Sequence, residues 1–80
     1  MKKIAFIGGG NMAASLIGGL VSNGWTAEYI IVSDPSVERL AYLQHTFGIQ
    51  TTQDNSAAAA YAEVIVLAVK PQVMQAVCMS

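Results

Sequence analysis

The stretch "IAFIGGGNMAASLIGGL", residues 4–20, admits three readings that lead to three different proteins. Behind Met1, Lys2 and Lys3 it imitates a secretion signal; its apolar content imitates a membrane helix; its glycines suit a turn that holds a phosphate. Gly8, Gly9, Gly10 and Asn11 decide between them. A bilayer span needs about 20 consecutive, mostly apolar residues, and a signal peptide needs an unbroken apolar core. Three successive glycines followed by an asparagine break both. The stretch therefore reads as a strand, a tight turn and a helix. Residues 3–7, "KIAFI", form the strand and end at Gly8. From Met12 a helical period begins, with Met12, Leu16 and Leu20 four apart and Ala13 and Ile17 beside them. Asn23-Gly24 stops it, because glycine enters the left-handed conformation without strain.

The pattern continues outward from this unit. "YIIVS", residues 29–33, is a second strand, followed by "DPS". Ser36 is placed to cap a helix that carries Val37, Leu40, Leu43 and Phe47 on one face and ends at Gly48. "IQTT" is a weak third strand, and "DNS" introduces an alanine-rich helix over residues 56–62. "VIVLAV", residues 64–69, is the strongest strand: six apolar residues without polar alternation imply burial on both faces. Pro71 stands where one more helix could open, since its missing N–H costs nothing in a first turn. Strands alternating with helices imply an α/β fold, a parallel sheet with right-handed crossovers and flanking helices. No internal repeat, linker or domain boundary interrupts residues 1–80, which read as the front part of a larger protein.

Composition supports that expectation. Hydrophobic residues make up 54% of the chain and charged residues 11%, against about 25% charged in ordinary soluble domains. A domain this small buries only about 60% of its unfolded surface, so apolar area is left over for further polypeptide or another subunit. The net charge is −1, with Lys2, Lys3, Arg39 and Lys70 dispersed; no basic stripe exists for a nucleic acid to bind. One cysteine, Cys78, excludes an intrachain disulfide and suits a reducing cytoplasm. His45 has no neighbour at metal-ligand spacing, so no metal site is expected.

The turn carries the chemistry. "GGGNMA", residues 8–13, fits G-x-G-x-x-[G/A], with Gly8, Gly10 and Ala13 in the key places. Gly8 permits the tight turn out of the strand, Gly10 lets a pyrophosphate approach the backbone, and Ala13 keeps the helix close to the sheet. The pyrophosphate then meets free N–H groups at a helix N-terminus. Asp34 ends the next strand, where an acidic residue hydrogen-bonds the ribose 2′-OH of NAD; the competing reading makes it a turn residue before Pro35. Arg39 is the one nearby cation that could meet a 2′-phosphate, or else a solvated charge on its helix. The combination is that of a Rossmann-like dinucleotide-binding domain, and the absence of G-x-x-x-x-G-K-[ST] argues against a nucleoside triphosphatase.

"IAFIGGGNMAASLIGGL", "FGIQTTQDN" and "VIVLAVKPQVM" together resemble the N-terminal domain of the pyrroline-5-carboxylate reductases over essentially all 80 residues. "IGGGNMA", Asn55 and "AVKPQ" are the most specific pieces. The resemblance implies hydride transfer from NADP(H) or NAD(H) to the C=N bond of pyrroline-5-carboxylate, giving proline. It implies that Gly8, Gly10, Asn11, Met12 and Ala13 cradle the pyrophosphate, that Asp34, Pro35 and Ser36 face the adenosine ribose, and that Asn55 reaches the same end. Ala68, Val69, Lys70 and Pro71 would lie along the nicotinamide ribose. It also implies a substrate pocket and homo-oligomer interface in a helical C-terminal domain beyond these residues, so the fragment alone is expected to be inactive and no catalytic acid or base is assigned to it. Members that favour NADPH often carry a small hydroxyl residue where this chain has Asp34, which leaves the choice of dinucleotide open. Lys70 is either a cofactor neighbour or a strand-end lysine reaching solvent. Two alternatives stand beside the reductase: a non-catalytic dinucleotide-sensing module, and a sibling dehydrogenase of another imine or hydroxy acid.

Overall fold

A computed structural model describes residues 2–68. Within them the chain runs β1 (Ile4–Ile7), α1 (Asn11–Ser22), a 3₁₀ turn (Ala27–Tyr29), β2 (Ile30–Ser33), α2 (Val37–Phe47), β3 (Gln50–Thr52), α3 (Asn55–Tyr61) and β4 (Val64–Leu67). The four strands form one parallel sheet in the order β3-β2-β1-β4. The α/β alternation read from the sequence is thus the architecture observed. Tyr29, expected at the start of the second strand, instead closes the 3₁₀ turn.

Strand alternation distributes the core into two layers. Ile4 and Phe6 of β1, with Ile30 and Val32 of β2, pack against Ala13 and Ile17 of α1 and Leu40 and Leu43 of α2. Trp25, Phe47 and Leu20 close the rim of this larger layer. On the other face Ala5, Ile7 and Ile31 meet Ala58 of α3. Alanine at this contact lets a short helix lie close to the strands.

The helix ends follow local rules. Ser36 caps α2 by accepting a hydrogen bond from the Arg39 N–H at 3.2 Å, and Gly48 terminates it in the left-handed region at φ +73°. Asp54, the first residue of "DNS", caps α3: its Oδ1 accepts from the N–H groups of Ser56 at 2.8 Å and Ala57 at 3.4 Å. Such a cap contributes about 1 kcal/mol.

Three expectations about burial are corrected. The buried stripe of α1 is Ala13 and Ile17, while Met12 and Leu16 are exposed. Ala13 and Ile17, four residues apart on one face, pack on the sheet, and this orientation turns the adjacent Met12 and Leu16 toward solvent. Val37 begins α2 before the helix reaches the sheet, and is exposed. The largest departure is β4. Val64, Ile65 and Leu67 are exposed rather than buried on both faces, because β4 pairs only with β1 and occupies the sheet edge among the described residues. On the α1 side an apolar groove of about 490 Å³ runs past Val66, Leu16 and Leu20. No helix among the described residues is long and apolar enough to cross a membrane.

Candidate functional site

Because every strand is parallel, the C-terminal ends of β1, β2 and β4 share one edge. From β1 the chain winds outward through β2 to β3, then returns to place β4 on the other side of β1. Reversal of winding direction opens a crevice at that edge, the usual ligand position in open parallel sheets. The glycine turn emerges directly into it.

Each glycine of the turn has a different environment. Gly8 has φ +106°, a conformation that strains any residue bearing a Cβ, and its N–H donates to the Ser33 carbonyl at 2.8 Å. Gly9 is buried. A Cβ there would stand 3.1 Å from Leu43 Cδ1, 3.3 Å from Asp34 Oδ2 and 3.4 Å from Arg39 Cγ. Gly10 is the N-cap of α1, at φ −73° and ψ −169°, angles open to any residue. A Cβ at Gly10 would meet nothing within 4 Å. Neither backbone nor packing inside the described residues demands glycine at this position.

The start of α1 offers donors to that open space. No side chain caps it, and its first backbone bond runs from the Ala14 N–H to the Gly10 carbonyl at 3.0 Å. The N–H groups of Asn11, Met12 and Ala13 take no partner among the described residues. Three unpaired donors at the positive end of a helix suit an anion.

Asp34 lies beside the turn. Its Oδ2 accepts from the Gly9 N–H at 2.7 Å and its Oδ1 from the Ser36 N–H at 2.8 Å. The carboxylate therefore both organises the approach to α2 and grips the glycine turn. Pro35 is exposed, and its carbonyl accepts from Gln53 Nε2 at 3.0 Å. Asn55, the first residue of α3, receives the Ser33 hydroxyl on Oδ1 at 2.5 Å. This bond satisfies the one buried polar side chain at the end of β2. Ala68 follows β4 and is buried, donating its N–H to the Ile7 carbonyl at 2.9 Å.

The fold thus gathers Gly8, Gly10, Asn11, Met12, Ala13, Asp34, Pro35, Ser36, Asn55 and Ala68 at one edge of the sheet. Val69, Lys70 and Pro71 lie outside the described residues. One participant escaped the sequence reading, and another makes contacts that reading did not anticipate. Gly9 fills the unconstrained position of G-x-G and gave no signal of its own, yet it is the most enclosed residue of the turn. Arg39 is more than a solvated charge on its helix: its Nε donates to the Gly9 carbonyl and its Nη2 to Asn11 Oδ1 at 3.4 Å.

The chain is similar to known proteins along nearly its whole length. It is 53% identical to a pyrroline-5-carboxylate reductase of Vibrio alginolyticus over 77 residues, covering 96% of this chain and 28% of that protein. A pyrroline-5-carboxylate reductase of Pseudomonas aeruginosa is 54% identical over 76 residues, covering 95% of this chain and 28% of its own. Among solved structures, a pyrroline-5-carboxylate reductase from Coxiella burnetii superposes with a TM-score of 0.89 at 44% identity, over 96% of this chain and 28% of that one. The chain therefore spans a little over a quarter of the length of these relatives. The sequence profile of the family described as NADP oxidoreductase, coenzyme F420-dependent, matches residues 3–80, and the chain belongs to that family.

Proposed function

We propose that residues 1–80 are part of the dinucleotide-binding domain of an NAD(P)H-dependent pyrroline-5-carboxylate reductase. The observation that carries this reading is Gly10. Its side-chain space is empty among the described residues and its backbone angles are ordinary, which leaves the backbone open to close approach by a ligand. A pyrophosphate lying against the Gly10 backbone, facing the free N–H groups of Asn11, Met12 and Ala13, fits that opening. The relatives' names and the family description support the reaction class.

In this reading Asp34, Pro35, Ser36 and Asn55 border the adenosine ribose, and Ala68, Val69, Lys70 and Pro71 the nicotinamide ribose. A bound reduced nicotinamide supplies the hydride for the C=N bond. What these residues contribute is position: they fix one end of the dinucleotide against a rigid sheet edge, so that its reactive face meets the imine in one orientation. No proton-transfer residue is assigned to them. The imine pocket and a homo-oligomer interface belong to the length of the relatives beyond this chain, and the setting is the cytoplasm.

The complete polypeptide carrying this chain should oxidise NADH or NADPH when given pyrroline-5-carboxylate, with proline as product. Cofactor binding without turnover across a panel of cyclic imines would refute the reductase and favour a sensing module.

A further inference from the structure

Arg39 sits in the first turn of α2 and reaches across to the glycine turn. Its own N–H is fixed by the Ser36 cap, and its guanidinium carbon stands 5.0 Å from the centre of the Tyr42 ring one turn along. The ring face holds the cation in a defined plane. From that plane Nε donates to the Gly9 carbonyl and Nη2 to Asn11 Oδ1. Asp34 takes the Gly9 N–H from the other side at 2.7 Å. Gly9 is therefore held at both its N–H and its C=O by two oppositely charged side chains, with Leu43 closing the third side.

We propose that Arg39 is a positioning residue for the dinucleotide, acting with Asp34 as a clamp that sets the Gly9 peptide groups and so aims the N–H donors of Asn11, Met12 and Ala13. This rests on the dinucleotide-binding reading above. A guanidinium suits the task because it is planar and donates in two directions at once, to Gly9 and to Asn11. An ammonium keeps the charge but cannot reproduce that fork. Arg39 acts through the turn and not on the 2′-phosphate, so its contribution is blind to whether the ribose is phosphorylated. The chemical class it serves is the pyrophosphate shared by NADH and NADPH.

The test is direct binding of NADH and of NADPH to the complete polypeptide, as wild type, Arg39→Met and Arg39→Lys, with the thermal midpoint recorded for each. Arg39→Met should weaken both dinucleotides by the same factor, about tenfold for the loss of charge-assisted hydrogen bonds. Arg39→Lys should stay close to Arg39→Met. A loss confined to NADPH would make Arg39 a 2′-phosphate ligand and overturn the proposal. Full recovery with lysine would reduce its role to charge, and unchanged affinity in Arg39→Met would remove the role altogether. A purely structural role would lower the thermal midpoint and leave the Kd of the folded protein unmoved, which also overturns it. Wild type with no affinity for either dinucleotide would defeat the underlying reading itself; binding by wild type with any of the overturning outcomes defeats only the clamp.

Discussion

β2 and β4 flank β1 on its two sides and are close to interchangeable as sequence. One reads "IIVS" and the other "VIVL", and each pairs with all four residues of β1 in parallel. Their surroundings are opposite. Every residue of β2 is buried, while Val64, Ile65 and Leu67 of β4 are 39%, 49% and 39% exposed. The difference lies in the neighbours. β2 has β3 beyond it, α2 over one face and α3 over the other. β4 has β1 alone. An apolar run reports that a segment is a strand; what covers it is decided by elements elsewhere in the chain.

The largest effect that can break this comparison is a truncation on each strand. Ile30→Ala should cost about 2–5 kcal/mol by urea denaturation, as expected of a fully buried isoleucine. Ile65→Ala in the same chain should cost less than about 1 kcal/mol, because much of that side chain already meets water. Equal losses would mean that β4 is covered as β2 is. Repeating the pair in the longer polypeptide sharpens the point: a rise in the cost of Ile65→Ala there would measure the cover that additional chain supplies.

A second prediction concerns the turn that both strands border. Gly8→Ala should destabilise the chain by about 1–3 kcal/mol, because alanine resists a φ of +106°. Thermal unfolding checks it, and an unchanged midpoint would show that the turn relaxes freely.

The smallest effect tests the ordered ends on the β2 side. Asp54→Ala, which removes the α3 cap, should cost about 1 kcal/mol, and Ser36→Ala, which removes the single α2 cap bond, about as much or less. Chemical denaturation of both variants compares the two helices that cover β2. A cost near zero for both would detach the burial of β2 from the way its helices begin.

Much of this architecture was legible in the sequence because local chemistry encodes it. Gly8 announces a turn, Gly48 a helix end and Ser36 a helix start, each through backbone geometry that few other residues satisfy. The alternation of strands and helices then fixes a parallel sheet. Burial was less legible. The periodicity of α1 is compatible with a stripe centred on Met12 and Leu16 or on Ala13 and Ile17, and packing against β1 and β2 selects the second. "VIVLAV" could not reveal which side of the sheet would be covered among these residues.

The site divides in the same way. Gly10 and Asp34 stood out because their residue types match a known spacing. Gly9 did not, and Arg39 stood out only as a nearby cation, since the contact between them joins segments separated by 30 positions. A glycine needed for enclosure and one needed for ligand approach look identical in sequence. In the fold they separate cleanly: Gly9 is hemmed in by three side chains and Gly10 by none.

That separation supplies the decisive measurement, the affinity of the complete polypeptide for NADH and NADPH before and after Gly10→Ala. The substitution meets open space at ordinary backbone angles, so the thermal midpoint should hold while dinucleotide affinity falls by at least about tenfold as the added methyl displaces the pyrophosphate. Retained affinity at a retained midpoint would contradict the account, because it would leave Gly10 with nothing outside the chain to make room for.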